Sequence, residues 1–373
     1  MPREKWSEAE RLAQDERYMR ECFQLARRGV GKVSPNPMVG AVLVHQGKVI
    51  GRGWHKVFGG PHAEVNAIQS VKDPTLLQAA TLYVNLEPCA HYGKTPPCTD
   101  LIIEKKIPRV VVGCKDPYKK VSGRGIKKLR EAGIEVTVDV LKEEAEQLNE
   151  AFIKYHTQGI PFVALKLAQS LDGKIATKTK ESRWITSEAA RAYAHQLRAE
   201  HDAVMIGTGT ALADNPLLTV RAVKGRNPIR ILLDRKLRVP LHANLFNQDA
   251  KTILFTSKVN RKHPKINALN RQGVATRFVA EKNDELSLVQ VMEALYEEKV
   301  LSVLVEGGAK LFASLIRAQL CDKLYLFIAP KILGADALSS IGQLNLRHLN
   351  ESVKLRNLSL KILEETVLLE GYF

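Results

Sequence analysis

The chain has 373 residues and a formal net charge of +16, from 56 lysines and arginines against 40 acidic residues. This length suits two domains rather than one core, and no stretch approaches the roughly 20 apolar residues of a membrane span. The basic charge suits nucleic acid as well as phosphorylated metabolites, but it is spread along the chain without a long basic tail. We therefore expect anionic small molecules as ligands, and neither a nucleic-acid nor a membrane partner.

The N-terminal 17 residues alternate acids and bases without an apolar segment, so we expect no signal peptide and a cytoplasmic location. Five cysteines, an odd number, argue against a disulfide framework and for metal or core roles. Cys22 lies among apolar residues of a predicted helix, and Cys114 ends an apolar run. We expect both of these side chains in the core.

Helices and strands alternate along the first half. The spacing predicts an amphipathic helix over 15–29 and a hairpin over 39–54. A helix is expected from Pro61 to about Ser70, a strand over 81–86, and another helix that begins at Cys98. Beyond these we predict a strand over 109–114, a helix over 125–132, a strand over 134–140 and a helix over 141–156. This order predicts a layered α/β domain around one sheet.

The second half begins after Gly159-Ile160-Pro161, and we expect domains at 14–158 and 159–373. Strands alternate with helices here, which indicates a mostly parallel sheet. The predicted strands are 162–167, 203–207, 229–233, 251–255, 274–279, 301–305 and 324–328, and the predicted helices are 187–199, 286–299 and 309–319.

The most informative motif is Pro61-His62-Ala63-Glu64, followed by Pro88-Cys89 and Pro97-Cys98. His62, Cys89 and Cys98 can supply three ligands to a tetrahedral zinc ion, which leaves the fourth position for a water. Zinc lowers the pKa of such a water to about 7. Glu64 is close enough to take its proton and pass it to a departing nitrogen. The pattern is typical of zinc nucleobase deaminases.

Two alternatives stay open for this motif. One is a closed structural site or a set of buried cysteines, with His55, His91 or Cys114 nearby, but none of these residues accounts for Glu64 or the prolines. The other is a deaminase of RNA bases with a non-catalytic second half. The net charge favours it, whereas the eight residues between Cys89 and Cys98 differ from the C-x-x-C of polynucleotide deaminases.

The second half has no G-x-G-x-x-G fingerprint, and Gly93-Lys94-Thr95 is not a P-loop because Pro88 stands where glycine is required. Two other glycine motifs follow predicted strands, at Gly207-Thr208-Gly209-Thr210 and Glu306-Gly307-Gly308-Ala309. Glycines that enter a helix let backbone N–H groups approach a phosphate closely. Taken alone, such a turn is more often a plain connection.

The motifs of both halves together resemble the bacterial bifunctional riboflavin-biosynthesis family, diaminohydroxyphosphoribosylaminopyrimidine deaminase and 5-amino-6-(5-phosphoribosylamino)uracil reductase. The matching text of the first half is Pro35-Asn36-Pro37-Met38-Val39-Gly40, Pro61-His62-Ala63-Glu64, Leu86-Glu87-Pro88-Cys89 and Val121-Ser122-Gly123-Arg124-Gly125. That of the second half is Lys166-Leu167-Ala168, Ser170-Leu171-Asp172-Gly173, Ser182-Arg183-Trp184-Ile185-Thr186, Leu212-Ala213-Asp214-Asn215-Pro216, Leu218-Thr219-Val220-Arg221 and Val305-Glu306-Gly307-Gly308.

The resemblance implies a cytidine-deaminase-like three-layer α/β/α domain and a dihydrofolate-reductase-like α/β domain, with one zinc ion per chain and NADPH. It implies hydrolytic deamination of 2,5-diamino-6-ribosylamino-4(3H)-pyrimidinone 5′-phosphate, with Glu64 as the catalytic residue, and then reduction of the ribose to ribityl. We also expect a homo-oligomer. A second half that only scaffolds the first is the non-catalytic alternative.

The site residues implied by the resemblance fall into two groups. Expected NADPH contacts are Ala168, Trp184, Thr210, Asp214, Arg235, Gly308, Ala309, Lys310, Leu311, Phe312, Ala313 and Ser314. Expected substrate contacts are Asn36, His91, Lys94, Lys166, Ser182, Arg198, Leu218, Arg221 and Glu306. Among these, Arg198 and Arg221 offer forked donors suited to a ribose phosphate.

Three positions depart from the family pattern. Tyr118 follows Asp116-Pro117 where Asn-Pro is frequent, Asn215 stands where a second Asp is common, and Arg235 stands where some members carry Ser. Arg235 could pair with the 2′-phosphate of the cofactor. None of the three departures removes a catalytic group.

Overall fold

The structure, a computed structural model, describes residues 7–92, 96–118 and 122–373. The chain divides into two compact units, Met1–Gly159 and Ile160–Phe373. The expected domain boundary after residue 158 lies one residue from this division. Among the helices in the described ranges, none is both long and apolar enough to cross a membrane.

A five-stranded sheet forms the centre of the first unit, in the order β2-β1-β3-β4-β5. Its strands are β1 (Gly40–His45), β2 (Lys48–Trp54), β3 (Thr81–Leu86), β4 (Arg109–Cys114) and β5 (Glu135–Thr137). Its helices are α1 (Glu8–Ala26), α2 (Ala63–Gln69), α3 (Cys98–Glu104), α4 (Arg124–Glu131), α5 (Lys142–Leu148) and α6 (Glu150–Gln158). β1 runs antiparallel to β2 and β3, whereas β3, β4 and β5 are parallel.

Helices cover both faces of this sheet. A Cβ added at Gly40 would lie 2.1 Å from the Cys22 carbonyl oxygen of α1, and one added at Gly53 would lie 2.2 Å from the Ala67 nitrogen of α2. Gly53 pairs with Ala41, the residue after Gly40, and successive residues of a strand face opposite sides. α1 and α2 therefore pack on opposite faces, and the predicted layered α/β fold is confirmed.

The first helix begins earlier than its apolar pattern indicates. Ser7 caps it, accepting a hydrogen bond from the Glu10 N–H at 3.2 Å, while the Glu10 carboxylate accepts one from the Ser7 N–H at 2.9 Å. This reciprocal pair is a capping box. The predicted start at residue 15 was wrong: the helix extends to Glu8, although residues 8–13 are exposed and bury no face against the sheet.

A buried ion pair joins α1 to the sheet. Asp15 is 3% exposed, and its carboxylate accepts two hydrogen bonds from the Arg109 guanidinium, at 2.9 and 2.6 Å. The Tyr83 hydroxyl donates a third, at 2.8 Å. Burial, with the Asp15 charge beside it, raises the pKa of Tyr83 well above its ordinary value. A charge-assisted network of this kind fixes the first helix on β3 and β4.

The second unit has a nine-stranded sheet in the order β11-β10-β9-β8-β14-β6-β15-β18-β17. The strands of this unit are β6 (Phe162–Ser170), β7 (Lys174–Ala176), β8 (Ala203–Gly207), β9 (Ile229–Leu233), β10 (Thr252–Ser257), β11 (Ala275–Val279), β12 (Glu281–Lys282), β13 (Glu285–Leu286), β14 (Ser302–Val305), β15 (Lys323–Ala329), β16 (Leu338–Ser339), β17 (Arg356–Leu363) and β18 (Thr366–Tyr372). Its helices are α7 (Glu188–Glu200), α8 (Thr208–Asp214), α9 (Pro264–Arg271), α10 (Leu288–Glu297) and α11 (Ala309–Arg317).

Seven adjacent strands of the large sheet, from β11 to β15, run parallel, and β18 and β17 complete it as an antiparallel hairpin. The predicted, mostly parallel sheet is confirmed. The carboxyl ends of β8, β14 and β6 lie side by side at one edge. Ligands of open parallel sheets bind at such an edge.

Several predicted elements were wrong in detail. The strand expected over 134–140 is only Glu135–Thr137, and the helix expected over 141–156 is two helices separated at Asn149. The Asn149 amide binds both the N–H and the carbonyl of Met38, at 2.8 and 3.0 Å, and this tertiary contact accompanies the break. We did not predict α9 or the C-terminal hairpin of β17 and β18.

Candidate metal centre and reductase site

Three side chains capable of binding metal meet in the first unit. His62 is the residue before α2, Cys89 follows β3, and Cys98 is the first residue of α3. The ligand atoms of the three residues all lie within 4.8 Å of one another. His62 Nδ1 is 3.2 Å from Cys98 Sγ and 3.6 Å from Cys89 Sγ.

These distances fit a zinc ion. Zn–S bonds of about 2.3 Å and Zn–N bonds of about 2.0–2.1 Å at tetrahedral angles place nitrogen and sulfur about 3.6 Å apart. The Cys98 N–H also donates to Cys89 Sγ at 3.4 Å, a contact that suits a thiolate. In the part of the chain that the structure describes, no fourth histidine, cysteine or carboxylate completes the cluster. An open fourth position distinguishes catalytic zinc sites from structural ones.

His55, a possible fourth ligand on sequence grounds, has another task. Its Nδ1 lies 3.0 Å from the Pro61 carbonyl oxygen, and its Nε2 lies 3.1 Å from the Asn36 amide nitrogen. A carbonyl accepts only, so Nδ1 carries the proton and Nε2 accepts from Asn36. The imidazole packs edge-on against His62 with ring centroids 5.6 Å apart. His55 therefore links Asn36 to Pro61, the residue just before His62.

Glu64 lies in the first turn of α2 and is 4% exposed. Burial raises the pKa of its carboxyl group, and the neighbouring His62 acts in the opposite direction. A buried carboxylate beside the cluster, which is not itself one of the three grouped residues, is available for proton transfer.

Glu87 holds the segment that carries Cys89. Its buried carboxylate accepts backbone N–H hydrogen bonds from Asp116, Gly123, Gly125 and Ile126, at 3.2, 2.9, 2.9 and 3.3 Å. The last three come from the N-terminus of α4, where a negative charge is favoured by the helix dipole. A Cβ on Gly125 would lie 2.0 Å from the Pro88 carbonyl oxygen. The matching text at 122–125 therefore holds in place the segment that carries Cys89, an expected metal ligand.

Of the three substrate contacts expected in this unit, Asn36 is placed by His55, and His91 lies near Tyr118 with ring centroids 6.4 Å apart. Lys94 lies outside the described residues. Tyr118 also packs on His156, with ring centroids 5.0 Å apart. The departure at position 118 thus adds an aromatic ring beside His91.

The second unit buries a carboxylate at the end of β14. Both oxygens of Glu306 accept hydrogen bonds from Arg198 of α7, at 2.5 and 2.9 Å, and Lys166 Nζ of β6 lies 3.9 Å away. Burial alone would raise the pKa of Glu306, but Arg198 and Lys166 outweigh it and lower the pKa to about 2. Glu306 is therefore an anion at neutral pH. Two N–H donors of the Arg198 guanidinium are occupied by Glu306, so Arg198 does not offer the free pair of donors that we expected to bind a phosphate.

Residues 218–221 form a short segment that is hydrogen-bonded to α7, the helix that carries Arg198. Arg198 donates to the Thr219 carbonyl at 3.2 Å, and the Arg221 N–H donates to His195 Nδ1 at 3.1 Å. The Arg221 guanidinium donates to the Thr219 hydroxyl at 2.9 Å, and Leu218 is buried. Sequence reasoning missed His195, although it stands three residues before Arg198 and so on the same helix face.

The two glycine motifs of the second unit are neighbours. A Cβ on Gly308 would lie 3.4 Å from the Thr210 hydroxyl oxygen, because β8 and β14 are adjacent strands. Gly308 is the N-cap of α11 and has no side chain to satisfy the N–H groups of the helix. The Leu311 N–H donates to the Gly308 carbonyl at 3.0 Å, so the N–H groups of Ala309 and Lys310 are the ones that face a ligand at this helix start. The expected cofactor contacts Ala309, Lys310, Leu311, Phe312, Ala313 and Ser314 form its first two turns. Ala168 lies on β6, the other neighbour of β14.

Trp184 is 63% exposed, and its ring packs under the Arg191 guanidinium at 4.5 Å. Arg183 donates to the Asp214 carbonyl at 3.2 Å, so two expected cofactor positions, Trp184 and Asp214, are held near one another. Ser182, an expected substrate contact, directly precedes Arg183 and Trp184 in the chain and is partly exposed.

Arg235 is engaged by carboxylates, with Asp284 at 2.7 Å and Glu281 at 3.4 Å. It is thus already paired, contrary to the free guanidinium that our 2′-phosphate hypothesis required. The other departure, Asn215, accepts two hydrogen bonds of 2.8 Å from Asn244, one at its side-chain oxygen and one at its backbone carbonyl, and so has a structural role.

The fold and the two sites define a class of enzyme in which a zinc-dependent deaminase unit precedes a reductase unit. Residues 12–114 match the family described as cytidine and deoxycytidylate deaminase zinc-binding region. Residues 161–369 match the RibD C-terminal domain family.

The similarity to whole proteins extends over nearly all of the chain. It is 44% identical to the riboflavin biosynthesis protein RibD of Aquifex aeolicus, over 95% of this chain and 97% of that protein. A crystal structure from Thermotoga maritima, of a diaminohydroxyphosphoribosylaminopyrimidine deaminase/5-amino-6-(5-phosphoribosylamino)uracil reductase, superposes with a TM-score of 0.86 at 40% identity, covering 97% of this chain and 99% of that one. Acinetobacter baumannii RibD superposes with a TM-score of 0.88 at 34% identity and the same coverage. The chain belongs to the RibD family.

Family membership confirms three expectations together. The cytidine-deaminase-like and dihydrofolate-reductase-like folds are both present, the deaminase unit is of the zinc-binding type, and the chain is a bifunctional enzyme of riboflavin biosynthesis. The alternative of an RNA base deaminase with a non-catalytic second half is not favoured.

Proposed function

We propose that the chain catalyses two consecutive reactions. The first unit, 14–158, deaminates 2,5-diamino-6-ribosylamino-4(3H)-pyrimidinone 5′-phosphate by hydrolysis. The second unit, 159–373, uses NADPH to reduce the ribose of 5-amino-6-(5-phosphoribosylamino)uracil to ribityl. The observation that carries the first assignment is the convergence of His62, Cys89 and Cys98 with a buried carboxylate beside them.

In the deaminase unit, His62, Cys89 and Cys98 would hold the zinc ion. The chemistry that zinc supplies when bound is an activated water, whose pKa falls to about 7. Glu64 then has two tasks: its carboxylate takes the proton of the nucleophile and delivers it to the amino nitrogen that leaves as ammonia. Its burial excludes bulk water from this transfer.

We assign substrate binding in this unit to Asn36 and His91, with Lys94 meeting the phosphate. Asn36 donates one amide hydrogen to His55, which leaves its second donor and its carbonyl oxygen for the pyrimidine. The ring of Tyr118 beside His91 offers an apolar surface for the flat base.

In the reductase unit, the chemistry that NADPH supplies when bound is hydride transfer to C1′ of the ribose. The ring oxygen that is released needs a proton, and Lys166 Nζ is the group that we assign to deliver it. Glu306 holds Lys166 at 3.9 Å and orients it. Ser182, Leu218 and Arg221 are proposed to complete the substrate site, with Arg221 on the phosphate.

For the cofactor we propose a site along the carboxyl ends of β6, β8 and β14. The N-terminus of α11, from Gly308 to Ser314, would receive the phosphates, and Ala168, Thr210 and Asp214 would line the rest. Trp184 offers a flat, exposed face. Arg235 could contribute only by exchanging its carboxylate partners for a phosphate.

A coupled assay on the purified full-length protein tests the proposal. Ammonia release from the free ribosylaminopyrimidine phosphate and subsequent NADPH oxidation are followed separately, and both are expected. A tRNA hairpin offered to the same protein should release no ammonia. Deamination of the hairpin in preference to the free nucleotide would contradict the assignment.

We further propose that the chain works in the cytoplasm as a homo-oligomer. β17 is an edge strand whose Leu360 and Ile362, 69% and 67% exposed, face the same side. We propose that this exposed apolar patch on the face of the sheet, beside its edge, contacts a second copy of the chain. Light scattering of the wild type and of Leu360→Lys tests this, with dissociation expected for the variant. A wild-type protein that scatters as a monomer at micromolar concentration would contradict it.

A further inference from the structure

α7 presents two side chains to the segment 218–221. His195 and Arg198 are three residues apart and lie on one face of the helix. Arg198 donates to the Thr219 carbonyl at 3.2 Å, and His195 Nδ1 accepts from the Arg221 N–H at 3.1 Å. The segment is therefore attached to α7 through two of its residues, Thr219 and Arg221.

The hydrogen bond fixes the chemical state of His195. A backbone N–H donates only, so Nδ1 carries no proton and the neutral ring holds its proton on Nε2. Burial, and then the charges of Arg198 and Arg221, lower the pKa of His195 to about 4. The imidazole is thus an uncharged acceptor between two guanidinium groups at neutral pH.

The same geometry makes the two arginines unequal. Arg198 gives two of its donors to Glu306, whereas Arg221 is exposed and its guanidinium donates to the Thr219 hydroxyl at 2.9 Å. No carboxylate of the described residues pairs with Arg221. It is therefore the guanidinium of this site that has donors left for an anionic group.

We propose that His195 is a positioning residue of the reductase site that acts through Arg221, fixing the backbone of segment 218–221 so that the Arg221 guanidinium meets the substrate phosphate. The inference rests on the proposed reduction of a phosphorylated ribosylaminopyrimidine. His195 is not part of any of the matching motifs. Its proposed role follows from the hydrogen bond that its Nδ1 accepts from the Arg221 N–H.

Two substitutions separate this role from a general structural one. His195→Asn keeps an acceptor, since the amide oxygen replaces Nδ1, whereas His195→Leu removes it at similar volume. We expect His195→Leu to raise KM for the pyrimidine substrate about five- to tenfold, the loss of one hydrogen bond that orients a charged contact. kcat and the KM for NADPH should change less than about twofold, and His195→Asn should restore most of the lost affinity.

The background of Arg221→Ala provides the decisive control. If His195 acts through the Arg221 side chain, His195→Leu has no further effect on KM once that side chain is gone. An equal rise of KM in both backgrounds would mean that the imidazole contacts the substrate itself, and would overturn the proposal. A fall in kcat and in NADPH affinity together, with no rescue by Asn, would also overturn it.

A titration of each variant with NADPH reports whether the reductase unit is folded. Wild-type protein that fails to oxidise NADPH with the substrate would count against the proposed function itself. Active wild type with a His195→Leu variant of unchanged KM would count against this inference alone.

Discussion

Two buried carboxylate–arginine pairs, one in each unit, have similar geometry and different neighbours. Asp15 and Arg109 share two hydrogen bonds, at 2.9 and 2.6 Å, and their further contacts are Tyr83, Thr137 and the exposed Glu135 carboxylate. Glu306 and Arg198 also share two, at 2.5 and 2.9 Å, but Lys166 and the segment 218–221 adjoin them. The same interaction therefore fixes a helix in one unit and lies in the proposed substrate site of the other.

The comparison teaches that burial of an ion pair does not by itself indicate function. Removing Glu306 leaves the Arg198 guanidinium without a carboxylate partner, and removing Asp15 leaves Arg109 with only the exposed Glu135 carboxylate, at 3.4 Å. Both changes cost stability. The difference is that Lys166, a residue proposed to act on the substrate, is held by Glu306 of the second pair, whereas no such residue within the described ranges contacts the first pair. The two units can be perturbed separately to test this distinction.

The largest effect is expected for Cys98→Ala, which removes one of three metal ligands. Zinc content should fall to near zero and ammonia release should be lost, because a two-ligand site does not hold zinc for catalysis. NADPH oxidation with the deaminated intermediate should continue at the wild-type rate. Metal analysis and the two separate assays check this, and wild-type zinc content in the folded variant would contradict the ligand assignment.

Glu306→Gln is expected to have the next largest effect. The Arg198 guanidinium then loses its charged partner and Lys166 loses its orienting anion, so reduction should slow by about 10²-fold. The free energy of unfolding of the second unit should fall by about 3 kcal/mol. Single-turnover NADPH oxidation and thermal unfolding measure the two effects. Ammonia release serves as the control and should not change.

Asp15→Asn is the matched variant in the first unit. It breaks the corresponding pair, and the free energy of unfolding of that unit should fall by about 3 kcal/mol. Below the unfolding transition, kcat for ammonia release should stay within about twofold of wild type, because Asp15 contacts no group assigned to catalysis. A large loss of kcat in the folded variant would remove the contrast between the two pairs.

The smallest predicted effect is a pH dependence of stability in the second unit. The pKa of His195 is lowered to about 4 from an ordinary 6.5, so the unfolded chain binds the proton first. Stability should be fully present above pH 6.5 and decline as the pH falls from 6.5 towards 4. Glu306, with its pKa lowered to about 2 from 4.5, adds a second decline only below pH 4.5. The free energy of unfolding is measured by denaturant unfolding across the pH range. Its change with pH should differ between the wild type and His195→Asn in the first window, and it should be the same for both proteins in the second.

The candidate metal centre could be predicted from the sequence because its expected ligands follow local rules. Each ligand stands at a helix start or strand end marked by proline, and a zinc ion constrains residue types strongly. The structure places His62, Cys89 and Cys98 as that pattern indicated. The supporting contacts of Glu87, which involve four backbone N–H groups, had no comparable signal.

The reductase site could be predicted only by resemblance. Arg198 and Glu306 are 108 positions apart, and no spacing rule indicates that they meet, so we assigned the Arg198 fork to a phosphate. His195 was missed for the same reason, since its partner is a backbone N–H of a distant segment. The C-terminal hairpin did carry a signal, the alternation of Leu358, Leu360 and Ile362, which our prediction did not use.

The most direct test of two independent active sites on one chain is Glu64→Gln, assayed for zinc content, ammonia release and reduction of the supplied intermediate. We predict full zinc occupancy, a loss of ammonia release by about 10²- to 10⁴-fold, and unchanged NADPH oxidation. A folded, zinc-loaded variant that still releases ammonia at the wild-type rate, or one that loses both activities equally, would contradict the account.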